Sequence, residues 1–138
     1  MNEPERDLAS LLVSMKPALD PREWVFCRVE RGFDAADLDP LLCFRESEGM
    51  TLIIERDAAE RHGLAYAFPC RHITLRVHSD LQSVGFLAAL CGELAKHTLP
   101  VNAVSAFYHD HLFVPVDRGE EALHVLEELS AQTARKIL

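Results

Sequence analysis

The sequence predicts an α+β protein made of two ferredoxin-like (βαββαβ-type) modules whose antiparallel sheets pack together. Residues 71–77 alternate between apolar and polar side chains, which is the period of a half-buried strand. An apolar stripe with helical spacing follows at 84–95, and two strand-like runs then meet at a tight turn around His109-Asp110. A similar strand-turn-helix segment at 52–57 indicates that the arrangement occurs twice.

The first predicted module comprises residues 1–70 and carries an additional N-terminal helix. Leucine and methionine recur at helical spacing before Pro17, and three later runs rich in apolar residues are typical of strands. Gly49 can adopt the positive φ of a hairpin turn, and Gly63 is suited to ending a short helix. The predicted elements are a helix over 8–15, strands over 23–30, 41–45 and 50–55, and a helix over 57–62.

The second predicted module comprises residues 71–138. The run Ser79-Asp80-Leu81-Gln82 has the pattern of a helix-opening capping box, which places Gly85 and Gly92 inside the helix that follows. A second capped helix is predicted to begin at Asp117, and the tail after Leu129 has a weaker helical pattern. The predicted elements are a strand over 71–77, a helix over 79–97, strands over 101–108 and 111–116, and a helix over 117–129.

The composition narrows the class of protein and its partners. With 138 residues, of which 49% are hydrophobic, the chain can bury a real core. The net charge of −8 and the lack of a basic stripe argue against nucleic acid and against anionic membrane surfaces as partners. No apolar run reaches the roughly 18 residues of a membrane span, and the N-terminal residues do not resemble a signal peptide. We therefore expect a cytoplasmic protein.

The four cysteines show no metal-binding spacing. No two of them form a C-x-x-C pair, and each lies among apolar residues, so a zinc site built on them is not expected. They are predicted to be buried thiols in a reducing compartment. The cysteines are Cys27, Cys43, Cys70 and Cys91.

His109 and His111 require a separate test as metal ligands. Two histidines in a His-x-His pattern share a face when they lie on a strand. Because Asp110 is predicted to lie in a turn, we expect the two rings to diverge and Asp110 to hold the turn through its own backbone. Neither a metal nor a cofactor is therefore predicted. A metal-dependent enzyme, with His78 or Asp80 as a third ligand, stays open as an alternative.

No catalytic residues can be assigned from spacing. The chain shows no nucleophile with a base and an orienting group at a recognisable spacing, and no glycine-rich phosphate loop, so it is not predicted to be an enzyme. Ser79 and Asp80 allow two readings. They can cap the following helix, or the N–H groups of that helix can bind the α-carboxylate of an amino acid while Asp80 or a nearby acid receives the ammonium group.

Four segments together resemble ACT domains, the small regulatory βαββαβ modules of aspartate kinases and other amino-acid enzymes. They are Arg71–Leu75, Val84-Gly85, Val101–Ser105 and the string Tyr108–Pro115. The preceding stretch Leu42–Leu52 is similar to the leading half of bacterial proteins that carry two ACT-like modules in tandem. Two departures from the family pattern are visible. The first module has about eleven residues where its first helix would lie, and the second has no final strand after its last helix.

The resemblance implies a non-catalytic regulatory protein that binds a small molecule of the amino-acid class at the junction of its modules. We also expect a homodimer, because two small sheets leave strand edges uncovered. The alternative is an interaction module without a ligand, which dimerises or docks on a metabolic enzyme. The ligand-binding residues expected from the resemblance are Ser79, Asp80, Val84, Gly85, Asn102 and Val104.

Overall fold

A single antiparallel sheet of six strands, with helices on one face, forms the body of the protein. The structure is a computed structural model and describes residues 3–137. The helices are α1 (Leu8–Ser14), α2 (Arg56–Arg61), α3 (Phe86–Lys96) and α4 (Gly119–Lys136). The strands are β1 (Pro17–Val29), β2 (Leu42–Glu46), β3 (Gly49–Glu55), β4 (Ala67–Leu75), β5 (Asn102–Ser105) and β6 (Asp110–Pro115).

The two central strands belong to both halves of the sheet, whose order is β2-β3-β1-β4-β6-β5. The set β2-β3-β1-β4 is one ferredoxin-like sheet, and β5-β6-β4-β1 is the other. The N-terminal half of β1, where Pro17 pairs with Leu75, therefore supplies the final strand that is missing after α4. The pair Cys70-Arg71 lies inside β4. In the first half, a single 3₁₀ turn at Ala36–Leu38 stands where the first helix of such a module would lie.

The α+β class and the two ferredoxin-like modules are confirmed. The strand-turn-helix segments that occur twice in the sequence are β3 with α2 and β6 with α4, and they take equivalent places in the two halves. On the helix face, α1, α3 and α4 cover one half and α2 covers the other. Leu75, Leu90, Leu112 and Leu126 are fully buried there. Burial of each contributes about 1.5–3 kcal/mol to the free energy of unfolding.

The opposite face of the sheet is concave and has its own core. In a flat sheet of six strands the edge strands β2 and β5 would lie roughly 24 Å apart. Leu42 on β2 and Val104 on β5 nevertheless pack on the same cluster, which is centred on Trp24, Ile53 and Phe113. The sheet therefore curves strongly, and its two edges approach each other across what we call the concave face.

The long helix of the second half begins later than predicted. The capping-box assignment at Ser79-Asp80 is wrong, because the carboxylate of Asp80 accepts a hydrogen bond from the N–H of Gln82 within a turn. Gly85, with φ of +92°, is the residue that precedes α3, so it caps the helix and does not lie inside it. A short 3₁₀ turn at Val116–Arg118 precedes α4, and no side chain caps that helix.

Several predicted boundaries also differ from the structure. The strands predicted at 23–30 and 71–77 are longer at their N-terminal ends in the structure, where β1 includes Pro21 and β4 includes Pro69. The tail is helical as far as Lys136, and the hydroxyl of Ser130 donates to the carbonyl of Val13. Cys27 and Cys70 are buried, whereas Cys91 is half-buried and Cys43 is exposed on edge strand β2. The prediction of four buried thiols is therefore wrong for Cys43.

Candidate ligand-binding cleft

A small cleft lies on the helix face, at the end of the sheet where the loop before α3 meets the β5–β6 hairpin. Its volume is about 130 Å³. Ser79 and Asp80 line one side, Gly85 and the first turn of α3 line a second, and Asp110 lines the third. Each side comes from a different part of the chain, so the cleft forms only when the sheet and α3 have packed together.

Asp110 provides a buried negative charge in the wall of the cleft. The residue is 5% exposed. Its Oδ2 accepts a hydrogen bond of 2.9 Å from the Ser79 hydroxyl, and its Oδ1 accepts one of 2.6 Å from the Ser105 hydroxyl. None of the salt bridges formed within residues 3–137 involves Asp110. The site therefore favours a positively charged ligand group, since a buried carboxylate is most stable beside a cation.

The first turn of α3 provides the opposite electrostatic character. Gly85 makes no side-chain capping bond to the helix, and the first bond of the turn runs from the N–H of Ala89 to the carbonyl of Gly85. The N–H groups of residues 86–88 thus have no acceptor within the helix, and they carry the positive end of its dipole. A carboxylate fits such a helix start. The cleft consequently offers complementary partners for both charges of a zwitterion.

Asp80 holds the loop in place and does not stand free for a ligand. Its carboxylate accepts a hydrogen bond of 2.9 Å from Nε of Arg6, which holds the pKa of that carboxyl below its usual range. Backbone bonds from Glu5 to His78 and from Asp80 to Glu5 attach the N-terminal segment alongside. Among the acids lining the cleft, Asp110 is therefore better suited than Asp80 to receive an ammonium group.

The structure brings together half of the residues expected at the site. Ser79, Asp80 and Gly85 line the cleft. Val84 is 84% exposed and does not line it. Asn102 and Val104 pair with Phe113 and His111 across β6, and their side chains belong to the concave face.

Asp110, Ser105 and Ser83 also line the cleft, although they were not predicted as ligand-binding residues. Asp110 was expected to hold a turn through its own backbone, but it lies in strand β6 and bonds through its side chain. Ser105 and Asp110 lie on either side of the β5–β6 turn and pair across the two strands, so the predicted hairpin was a signal for their contact. No comparable signal connected Asp110 with Ser79, which is 31 residues away in the chain.

An outer groove continues from the cleft toward the N-terminal segment. It has a volume of about 480 Å³ and shares Ser79, Asp80 and Leu81 with the cleft. Leu81 and Phe107 line this groove, and both are more than half exposed, as are two large apolar side chains close to them in the chain, Val84 and Tyr108. The cleft therefore opens onto an apolar surface that is formed by the loop before α3 and by the hairpin tip.

The two histidines of the His-x-His pattern have different surroundings. Nδ1 of His109 lies 3.2 Å from the carbonyl oxygen of Val77, whereas Nδ1 of His111 lies 2.8 Å from Nε2 of His72 on the concave face. Within residues 3–137, no group of three or more His, Cys, Asp or Glu residues could hold a metal ion. None of the helices in that range is long and apolar enough to cross a membrane.

The fold defines a pair of ferredoxin-like modules that share two strands, and comparison with known proteins identifies the family. Two family models of the ACT domain match residues 3–71 and residues 67–128. The chain belongs to the ACT-domain family. The two matches overlap in β4, the strand that both halves of the sheet share.

Solved structures agree with this assignment. VC0802 from Vibrio cholerae, of unknown function and described as a possible transport protein, is 40% identical, with a TM-score of 0.82 over 89% of this chain and 95% of that one. Atu0741 from Agrobacterium tumefaciens is 14% identical, with a TM-score of 0.70 over 83% and 87% of the two chains. The regulatory subunit of aspartate kinase from Thermus flavus is 10% identical, with a TM-score of 0.59 over 82% and 95%. A search of curated proteins found no match.

Proposed function

We propose that this protein is a non-catalytic amino-acid sensor that binds its ligand in the cleft between Asp110 and the start of α3. The observation that carries the proposal is the pairing of a buried carboxylate with a helix start that no side chain caps. The ammonium group of the ligand would contact Asp110, and its carboxylate would accept hydrogen bonds from the N–H groups of residues 86–88. Membership of a family of regulatory modules supports the same reading.

The dimensions of the cleft limit which amino acids fit. A volume of about 130 Å³ accommodates the backbone of an amino acid with a small side chain. A larger side chain would extend into the outer groove, past Leu81 and toward Phe107.

We also place the sensor in the cytoplasm, because its four cysteines are free thiols, which a reducing compartment preserves.

Thermal unfolding with each of the twenty amino acids tests the proposal. A ligand present at 100 times its dissociation constant should raise the free energy of unfolding by about 2.7 kcal/mol. We expect one amino acid, or a small group of similar ones, to produce this stabilisation while the others do not. The same compounds without the α-ammonium group serve as controls, since they cannot engage Asp110. A panel with no response at millimolar concentration would contradict the proposal.

The exposed apolar rim favours a second candidate, an interaction module that dimerises or docks on a metabolic enzyme. Leu81, Val84, Phe107 and Tyr108 present large apolar side chains to solvent around the cleft, and such surfaces are typical of protein contacts. In this reading the cleft holds no ligand. The same rim supports a homodimer under either candidate, with a second copy covering the entrance to the cleft.

Light scattering on the parent and on Val84→Glu tests the homodimer. We expect the parent to have twice the chain mass of 15.5 kDa and the variant to have the mass of one chain, because a charge in an apolar contact opposes association. Arg76→Glu is a control at another exposed position before the loop. A parent that stays at the mass of one chain at all concentrations would exclude the dimer. A dimer that responds to no amino acid would favour the interaction module.

A further inference from the structure

A second groove lies on the concave face of the sheet, where the edge strands β2 and β5 approach each other. Its volume is about 290 Å³. Leu41 and Leu42 form one wall, Val104 and Ala106 form the opposite wall, and the buried ring of Phe113 contributes to its lining. The cleft of the proposed sensor lies on the helix face, so the sheet separates the two sites.

The imidazole of His111 gives this apolar groove one polar group. Its Nδ1 lies 2.8 Å from Nε2 of His72, and His72 stacks on Phe113 with ring centroids 5.0 Å apart and planes inclined by 12°. The hydroxyl of Thr74 lies 3.3 Å from the same nitrogen of His72. No partner of Nε2 of His111 was found within residues 3–137. This second nitrogen is therefore free to bond a molecule in the groove.

The hydrogen bond between the two imidazoles makes that nitrogen adaptable. Burial lowers the pKa of His111, and burial together with the nearby His111 lowers the pKa of His72 to about 4, so both rings are neutral at pH 7. In a neutral pair one ring donates and the other accepts. When His111 accepts at Nδ1 from His72, its Nε2 carries a proton and donates. When the tautomers exchange, Nε2 accepts instead.

Charged groups near the pair lie outside the groove. Asp20 and Arg22 act on His72, and His109 and Asp110 act on His111. The residues that line the groove include no aspartate, glutamate, lysine or arginine. A zwitterion or an ion placed there would lose its hydration without gaining a countercharge, which is costly.

We propose that the groove between β2 and β5 binds a small uncharged molecule that has an apolar body and one hydrogen-bonding group. The apolar body packs between Leu42, Val104 and Phe113, and the polar group bonds to Nε2 of His111. The volume is at the lower end of the range for ligand pockets, which fits a ligand with about ten heavy atoms. The site is independent of the amino-acid cleft, and both can be occupied together.

The probe 2-phenylethanol and two charged molecules of similar shape, phenylacetate and phenethylamine, test the proposal. Trp24 is the only tryptophan of the chain and belongs to the concave cluster, so its fluorescence reports binding there. We expect 2-phenylethanol to change the emission of Trp24 in a saturable way. The two charged molecules should bind at least about tenfold more weakly. Equal affinities for the three molecules, or no saturable change with 2-phenylethanol, would overturn the proposal.

Matched alanine substitutions locate the binding. Ala106→Phe fills the groove, and Ala88→Phe fills the amino-acid cleft; both alanines are exposed. We expect Ala106→Phe to raise the dissociation constant for 2-phenylethanol by about tenfold or more and Ala88→Phe to change it by less than about twofold. Leu41→Phe provides a second groove variant. Unchanged affinity in both groove variants would exclude the site. If a second copy covers the groove in the parent, the parent would not bind the probe, and Ala106→Phe would have a lower mass in solution than the parent. That result would also overturn the proposal.

Discussion

Asp110→Ala should abolish stabilisation by the amino-acid ligand and lower the free energy of unfolding by about 2–3 kcal/mol. The loss of stability follows because the hydroxyls of Ser79 and Ser105 both donate to the Asp110 carboxylate, and Ser79 is buried with it. Without that acceptor, a buried donor stays unpaired. The loss of binding follows because the ammonium group of the ligand would enter a buried site without a countercharge.

Asp110→Asn separates the charge of Asp110 from its structural role. An amide oxygen still accepts from one serine, so this variant should keep most of the stability and lose at least about 2 kcal/mol of binding free energy. Asp80→Asn is the matched control, because Asp80 lines the same cleft from the loop before α3. It weakens the ion pair with the exposed Arg6, so it should change stability little, and it should leave the affinity unchanged. Denaturant melts and calorimetry measure both quantities. If Asp110→Asn binds an amino acid as tightly as the parent, the proposed orientation of the ligand is wrong.

Acidification from pH 7 to pH 5 should weaken the concave face. His72 is 6% exposed, and its pKa in the folded protein is lowered from 6.5 to about 4 by burial and by the neighbouring His111. Between these two values the unfolded chain binds a proton that the folded chain does not, so stability falls as the pH falls. His72 alone should reduce the free energy of unfolding by about 2 kcal/mol between pH 7 and pH 5. The lowered pKa of His111 acts in the same direction.

His72→Phe tests whether this pair is the origin of the acid sensitivity. Phenylalanine keeps an aromatic ring against Phe113 and Trp24 but cannot bind a proton. The free energy of unfolding of the variant should therefore change much less over the same pH range. Denaturant melts at pH 7, 6 and 5 compare the parent with the variant. Equal slopes for the two proteins would show that another group is responsible.

The order of helices and strands could be predicted because it depends on local patterns. Most of the alternating residues in 71–77 fall in β4, most of the apolar repeat in 84–95 falls in α3, and the two hairpins lie where turn residues interrupt the strands. The start of α3 could not be predicted in this way. A capping box and an Asx turn begin with the same residue types, and only the positive φ of Gly85 marks the true helix start at Phe86, seven residues after Ser79.

The cleft was predicted in part, for a physical reason. Ser79 and Gly85 were found because a strand-to-helix loop can be read from sequence. Asp110 was predicted to lie in a turn. Its contact with Ser79 forms only when β6 pairs with β4, and no local sequence pattern indicates that contact. The concave face could not be anticipated either. Its apolar side chains, such as Phe26 and Val104, alternate along the strands with side chains that face the helices. That alternation shows which residues share a face, but it does not indicate how strongly the sheet curves.

The double membership of β1 and β4 means that the linear division of the chain and its division in space do not coincide. A cut at Cys70-Arg71 would pass through the interior of β4 and would leave each fragment without a strand that the other fragment holds. The two halves are therefore not independent sequential domains that could be exchanged separately between proteins. An insertion or permutation that respects the fold has to keep both central strands together, so the whole sheet, and not one ACT module, is the structural unit.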